Sequence, residues 1–180
     1  MNKDLLRQIA VVLATVITLV VNTLANALPL NGLNTGAVSD SFNVYFVPAG
    51  YVFSIWGLIY VLLIAYTVYQ ALKSQRENEA LRKIGWWYVL GSLANSIWIF
   101  MWHYQVFSLT IVFMLILLVS LIVVYLRLGI GRAAVTPAMR FLVHLPFSVY
   151  LGWITVATIA NATDVISLTS WDGFGIAPKV

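Results

Sequence analysis

The chain has 180 residues, of which 62% are hydrophobic and only 9% are charged. Soluble globular domains carry about 25% charged residues, so this composition excludes a water-soluble globule and requires much of the surface to face lipid. The net charge of +4 comes from basic residues clustered between apolar runs, a pattern typical of membrane topology and not of a nucleic-acid-binding face. The absence of cysteine excludes disulfides and thiolate metal sites.

Charge-free apolar runs predict an all-α integral membrane protein, a five-transmembrane-helix bundle. The long run 84–126 has no Asp, Glu, Lys or Arg and exceeds one helix, so we divide it at His103-Tyr104-Gln105. Helices of about 20 residues cross a hydrocarbon core of about 30 Å. The predicted spans cover about residues 9–28, 51–72, 84–102, 106–126 and 141–162. We expect one membrane domain, 1–163, followed by a tail at 164–180.

Basic residues fall on alternate connections. They are Lys3 and Arg7 before the first helix, Lys73, Arg76, Arg82 and Lys83 after the second, and Arg127, Arg132 and Arg140 after the fourth. The connections 29–50 and 103–105 contain neither lysine nor arginine. Positive charge favours the cytoplasmic side, so we predict a cytoplasmic amino terminus and an outer carboxyl terminus.

The amino-terminal segment has two interpretations. Lys3 and Arg7, an apolar core and the small-residue site Ala25-Asn26-Ala27 resemble a cleaved signal peptide. The apolar run is longer than a signal core, which favours a retained helix. The connection that follows begins with a turn-rich stretch, 31–36, and is long enough to serve as a lid.

Residues for acid–base or metal chemistry are scarce. The predicted spans contain no carboxylate, and His103 and His144 are too far apart in the sequence to form a metal-ligand motif. We interpret His103 as a solvated turn residue and His144 as interfacial or hydrogen-bonded within its helix. Ion-coupled transport usually needs an intramembrane charge, so the sequence disfavours it. No metal and no obligatory cofactor are predicted.

Aromatic and amide side chains instead repeat at helical spacing on three spans. Asn95 and Asn161 are costly to expose to lipid, so we expect them to turn the aromatic residues on the same helix faces inward. Trp86, Trp87 and Trp171 fit an interfacial belt. Trp56, Trp98 and Trp153 lie inside their spans, where they either pack the core or line a cavity for a flat apolar ligand. The candidate ligand-binding residues are Phe53, Trp56, Tyr60, Asn95, Trp98, Tyr150, Trp153, Ala157 and Asn161.

Three motifs on these spans resemble the tryptophan-rich sensory protein/translocator protein (TspO/MBR) family. Pro48, Phe53, Trp56 and Tyr60 match its proline-led Phe-x-x-Trp-x-x-x-Tyr. The other two matches are Asn95 with Trp98, and Trp153 with Ala157 and Asn161.

The resemblance implies a five-helix bundle that binds porphyrin or haem below the loop between helices one and two. In that setting Asn95 and Ala157 would line the pocket. In some bacterial members light-dependent porphyrin breakdown involves tryptophans at the positions of Trp56 and Trp153, which are the catalytic candidates if the protein is an enzyme.

We therefore expect a binding protein with a sensory, regulatory or tetrapyrrole-handling role in a prokaryotic cell membrane. Its expected partners are the lipid bilayer and a tetrapyrrole-like ligand, and a homodimer is left open. The alternatives are a light-dependent porphyrin-degrading enzyme and a facilitative small-molecule transporter.

Overall fold

A computed structural model describes residues 2–28, 30–44, 46 and 48–169. Within these residues the secondary structure is helical, and five helices are long and apolar enough to cross a membrane. We number the helices α1 (Lys3–Ala27), α2 (Thr35–Asp40), α3 (Ile55–Ala71), α4 (Glu79–His103), α5 (Phe107–Leu128) and α6 (Pro137–Ser167). Short 3₁₀ turns cover Leu30–Gly32, Gly50–Ser54 and Lys73–Gln75, and α6 contains a π-helical turn at Arg140–His144. The predicted five-helix membrane fold is confirmed.

Side-chain caps and positive-φ residues set the helix ends. The Asn78 side chain accepts hydrogen bonds from the first backbone N–H groups of α4, which otherwise lack partners. The turn between α4 and α5 places Gln105 at φ 59°, and α5 ends at Gly129 with φ 60°. Thr136 caps α6, and Pro137 occupies its first turn, where no backbone N–H is needed.

The five long helices form a closed ring in the order α1, α4, α5, α6, α3. More than half of the apolar segment of α4 is buried, a larger share than in the other four. Gly91 lets α4 approach α5 closely, because a Cβ there would lie 3.2 Å from the Ser120 Cβ. Large apolar side chains such as Leu13, Val61 and Leu126 remain exposed on the outside of the ring, as a lipid-facing surface requires.

Polar side chains tie α1 to its neighbours inside the ring. Asn22 Nδ2 donates to Asn95 Oδ1 across 2.8 Å, which joins α1 to α4. Closer to the amino terminus, Thr15 Oγ1 lies 2.8 Å from Thr67 Oγ1 and 2.7 Å from the Tyr88 hydroxyl. These bonds satisfy polar groups that lipid could not.

The predicted basic clusters lie together at one end of the ring, which we call the basic end. Arg82 forms a bidentate ion pair with Asp4, Arg7 Nη2 donates to the carbonyl of Arg76, and Arg127 Nη1 donates to the carbonyl of Lys83. The side of the membrane on which this end lies stays a prediction.

Three of the predicted spans are shorter than the helices in the structure. The first span was predicted from residue 9, but α1 begins at Lys3; the third was predicted from 84, but α4 begins at Glu79. The fifth was predicted as 141–162, but α6 runs from Pro137 to Ser167, so the predicted tail from 164 begins inside α6. A charge-free criterion ends a span at the first ionisable residue, whereas the backbone continues wherever that side chain finds an interface or a buried position. Trp171 lies outside the described residues.

Candidate ligand-binding site

A small cavity lies at the end of the ring opposite the basic end, under the connection between α1 and α3. Its volume is about 30 Å³, room for about one water molecule. Aromatic side chains and small residues from three parts of the chain surround it. They are Ser39, Pro48 and Phe53 from the connection, Trp98 and Trp102 from α4, and Trp153, Ala157, Ala160, Asn161 and Asp164 from α6.

The two indoles of α4 are stacked one helical turn apart, with ring centroids 5.4 Å apart and planes at 20°. Trp98 Nε1 donates to Asn161 Oδ1 across 3.3 Å, and Trp102 Nε1 donates to the carbonyl of Thr35 across 3.1 Å. Asn161 is itself held by Thr110, whose hydroxyl accepts from its Nδ2. The hydrogen bonds at the indole edges therefore fix the ring planes at the cavity.

Trp153 connects the cavity to a second group of aromatic rings. Its ring meets Phe53 edge-on, with centroids 5.9 Å apart, and Trp56 edge-on at 6.3 Å. Trp56 in turn stacks on Tyr60 and contacts Tyr150. Trp56, Tyr60 and Tyr150 are absent from the cavity lining and form a second layer behind Trp153.

The structure thus divides the nine predicted site residues. Phe53, Trp98, Trp153, Ala157 and Asn161 line one cavity. Trp56, Tyr60 and Tyr150 form the second layer. Asn95 forms a hydrogen bond with Asn22 of α1 and does not line the cavity. Sequence reasoning missed Ser39, Trp102, Ala160 and Asp164, and cited Pro48 only as part of a motif. Trp102 continues the Asn95 and Trp98 stripe and could have been included, but its place at the predicted turn made its role ambiguous.

Asp164 corrects the prediction that the spans contain no carboxylate. It lies within α6, is 1% exposed and lines the cavity. The signal was its spacing, because Asp164 follows Asn161 by three residues and so lies on the same helix face. Ion-coupled transport is therefore no longer disfavoured on the ground that the spans lack an ionisable group.

His103 is also corrected, from a solvated turn residue to a buried anchor of the connection. Its side chain is at the end of α4 and fully buried. The ring nitrogens lie 3.0 Å from Thr35 Oγ1 and 3.1 Å from the carbonyl of Leu30, and its own carbonyl accepts from Asn31 Nδ2. The connection is therefore fastened to α4 through residues 30–35.

His144 lies far from this cavity, near the π-helical turn of α6. Its backbone carbonyl accepts a hydrogen bond from the Ser148 hydroxyl, whereas Nε2 of its buried ring has no partner among the described residues. The predicted intrahelical hydrogen bond is therefore made by the main chain and not by the imidazole. No cluster of three or more potential metal ligands occurs within the described part of the chain.

Five spanning helices around an indole-lined cavity define a small integral multi-pass membrane protein. The chain belongs to the TSPO-like protein family, whose model matches residues 8–180. This match confirms the family resemblance drawn from the aromatic motifs. Comparison with curated proteins and with solved structures gave no significant match.

Proposed function

We propose that this TSPO-like protein binds a flat apolar small molecule, with a tetrapyrrole such as protoporphyrin or haem as the candidate ligand. The supporting observation is that rings from α4, α6 and the connection surround a single space: Trp98, Trp102, Trp153 and Phe53. Indole faces suit stacking on a planar ring system, and burial of apolar area contributes about 25 cal/mol per Å² before ordering costs. A sensory or tetrapyrrole-handling role would follow from such binding.

Binding requires the cavity to enlarge. Its volume of about 30 Å³ is far below the roughly 300–1,000 Å³ of ordinary ligand pockets. Hydrogen bonds to α4 fasten the start of the connection at Thr35 and Leu30, and Phe42 stacks on Trp102. We therefore expect the opening on the far side, where Pro48 and Phe53 move away from Trp153 and the anchored part stays in place.

Stacking would dominate this interaction, because the cavity lining contains no histidine, methionine or cysteine to coordinate a haem iron. We therefore expect metal-free protoporphyrin and haem to bind with similar affinity. A preference for haem of about 10-fold or more in parallel titrations would indicate a metal ligand and contradict a site based on stacking.

Quenching of tryptophan fluorescence by protoporphyrin in detergent micelles tests the site. Alanine at Trp98 or Trp153 should weaken binding by about 10-fold or more, the size of effect seen when stacking rings are removed. Trp86→Ala is the matched control, because Trp86 is exposed on the outside of the ring. Trp56→Ala should have a smaller effect, since this ring lies in the second layer. Equal affinity in wild type, Trp98→Ala and Trp153→Ala would exclude this cavity as the site.

Light-dependent breakdown of bound porphyrin is a second candidate function. It is favoured by the pair Trp56 and Trp153, whose ring centroids are 6.3 Å apart and of which only Trp153 lines the cavity. In the net reaction dioxygen would oxidise the porphyrin, and both of its oxygen atoms would enter the product as one carbon–carbon bond of the ring breaks. The indoles would lend an electron to the photoexcited porphyrin and recover it before the reaction ends. Loss of the porphyrin absorption band under illumination in wild type, and its persistence in Trp56→Phe and Trp153→Phe, would support this activity. A stable porphyrin absorption band in illuminated wild type would contradict this activity but not porphyrin binding.

A further inference from the structure

Two buried polar groups at the cavity lack a hydrogen-bond partner among the described residues. They are the donor Nε1 of Trp153 and the acceptor Oδ1 of Asp164. Both side chains line the cavity and are more than nine-tenths buried. Buried polar groups in folded proteins are nearly always paired. A donor and an acceptor left unpaired at the same cavity therefore mark a position where a ligand supplies the partners.

The carboxylate of Asp164 specifies the charge of that ligand. No lysine, arginine or histidine lines the cavity, and the ion pair within the described residues, Arg82 with Asp4, lies at the basic end. An ionised carboxylate in such surroundings is costly unless a positive charge accompanies it. The lining provides none, so the carboxyl group is either protonated or balanced by a positive charge on the ligand, and a cationic ligand favours the ionised form.

The aromatic lining favours the same kind of ligand. The face of an indole attracts a cation through its ring quadrupole, and tryptophan is the strongest of the aromatic side chains in this respect. Trp98, Trp102 and Trp153 all reach the cavity that Asp164 lines. On the α6 side, Ala157 and Ala160 leave space beside the carboxylate. An acidic side chain among indoles is suited to an organic ammonium group.

We propose that the cavity accepts flat aromatic amines, with the protonated nitrogen directed at Asp164 and the ring held among Trp98, Trp102 and Trp153. This inference rests on the proposed function, because both place a flat ring in the same cavity, but it adds a ligand class and a selectivity. Acidic ligand groups are repelled from the Asp164 end. A porphyrin with carboxylate side chains must therefore bind with those groups turned away from α6.

Calorimetric titration of the full-length protein in lipid nanodiscs tests the selectivity, with empty nanodiscs to correct for partitioning into lipid. The probes are three naphthalenes of similar size: naphthylethylamine (cationic), naphthylethanol (neutral) and naphthylacetate (anionic). Wild type should bind the amine about 10-fold or more tightly than the alcohol, and the acetate most weakly. Asp164→Asn should remove the preference for the amine. Asp40→Asn should preserve it, because Asp40 is exposed and does not line the cavity.

The outcomes separate this inference from the proposed function. If wild type binds protoporphyrin but shows no preference for the amine, or if Asp164→Asn keeps the preference, the inference is overturned and tetrapyrrole binding stands. If neither protoporphyrin nor any naphthalene binds beyond the empty-nanodisc signal, both fail. A change in thermal stability of Asp164→Asn without a change in selectivity would assign Asp164 to a buried water and overturn the inference. If the Asp164→Asn variant does not fold, Asp164→Ser takes its place, and it should likewise remove the preference for the amine.

Discussion

Gln8 and Asp164 are buried polar side chains at opposite ends of the helix ring, and they differ in their hydrogen bonding. At the basic end, Gln8 is 3% exposed, and its side chain donates to the carbonyls of Gln70 and Leu72 and accepts from Arg76. At the cavity end, Asp164 is buried to a similar extent, but its Oδ1 has no partner among the described residues. Paired groups stabilise the fold, whereas an unpaired buried group lowers stability unless a ligand satisfies it. The hydrogen bonds of Gln8 are thus expected to stabilise the fold, whereas the unpaired oxygen of Asp164 is available to a ligand.

The largest expected change in the free energy of unfolding comes from a substitution at the basic end. Gln8→Leu removes three hydrogen bonds that join α1 to the end of α3 and to the segment after it. The free energy of unfolding should fall by about 2 kcal/mol, since each such bond contributes about 0.5–1.5 kcal/mol. Denaturation in mixed micelles, followed by circular dichroism, measures the change. Affinity for protoporphyrin should not change, and a loss of affinity equal to that of Trp153→Ala would show that the two ends are not independent.

At the cavity end, a substitution is expected to raise the free energy of unfolding. Asp164→Leu replaces a buried, unpaired carboxyl group by an apolar side chain of similar size, so the free energy of unfolding should rise by about 1 kcal/mol. The same micelle denaturation applies, with Asp40→Leu as the control for an exposed acid. Destabilisation of Asp164→Leu by more than that control would mean that the carboxyl group supports the fold, and the contrast between the two ends would be lost.

Much of this contrast follows from the sequence, but its decisive residue does not. Apolar runs and basic clusters predict the five helices, because the hydrocarbon thickness fixes helix length and loop charge fixes topology. Helical spacing with Asn95 and Asn161 predicts that Trp98 and Trp153 face inward, and the family resemblance places Ala157 in the same pocket. The same approach misses Asp164. A rule that ends a span at a charged residue cannot identify a charged side chain that faces the interior of the bundle.

Other features of the site depend on how the helices rotate against one another. Trp56 lies inside its predicted span and Trp102 lies at the end of one, yet Trp102 lines the cavity and Trp56 lies behind Trp153. The burial of His103 depends on a connection that folds back onto the end of α4. The cavity volume depends on side chains from several elements at once. Spacing within a single helix contains none of this information.

The smallest expected effect is the difference between two tryptophan variants. Trp153→Phe keeps an aromatic ring but removes the unpaired Nε1 donor together with part of the buried indole. No hydrogen bond within the described residues is lost, so the loss of stability should come from the smaller ring alone. Trp98→Phe is the matched comparison, because its Nε1 donates to Asn161. That variant loses the same ring volume and also leaves the Asn161 oxygen unpaired, so it should lose about 0.5–1 kcal/mol more than Trp153→Phe. Equal losses in the two variants, measured by denaturation in micelles, would mean that the Trp153 donor already has a partner and is not reserved for a ligand.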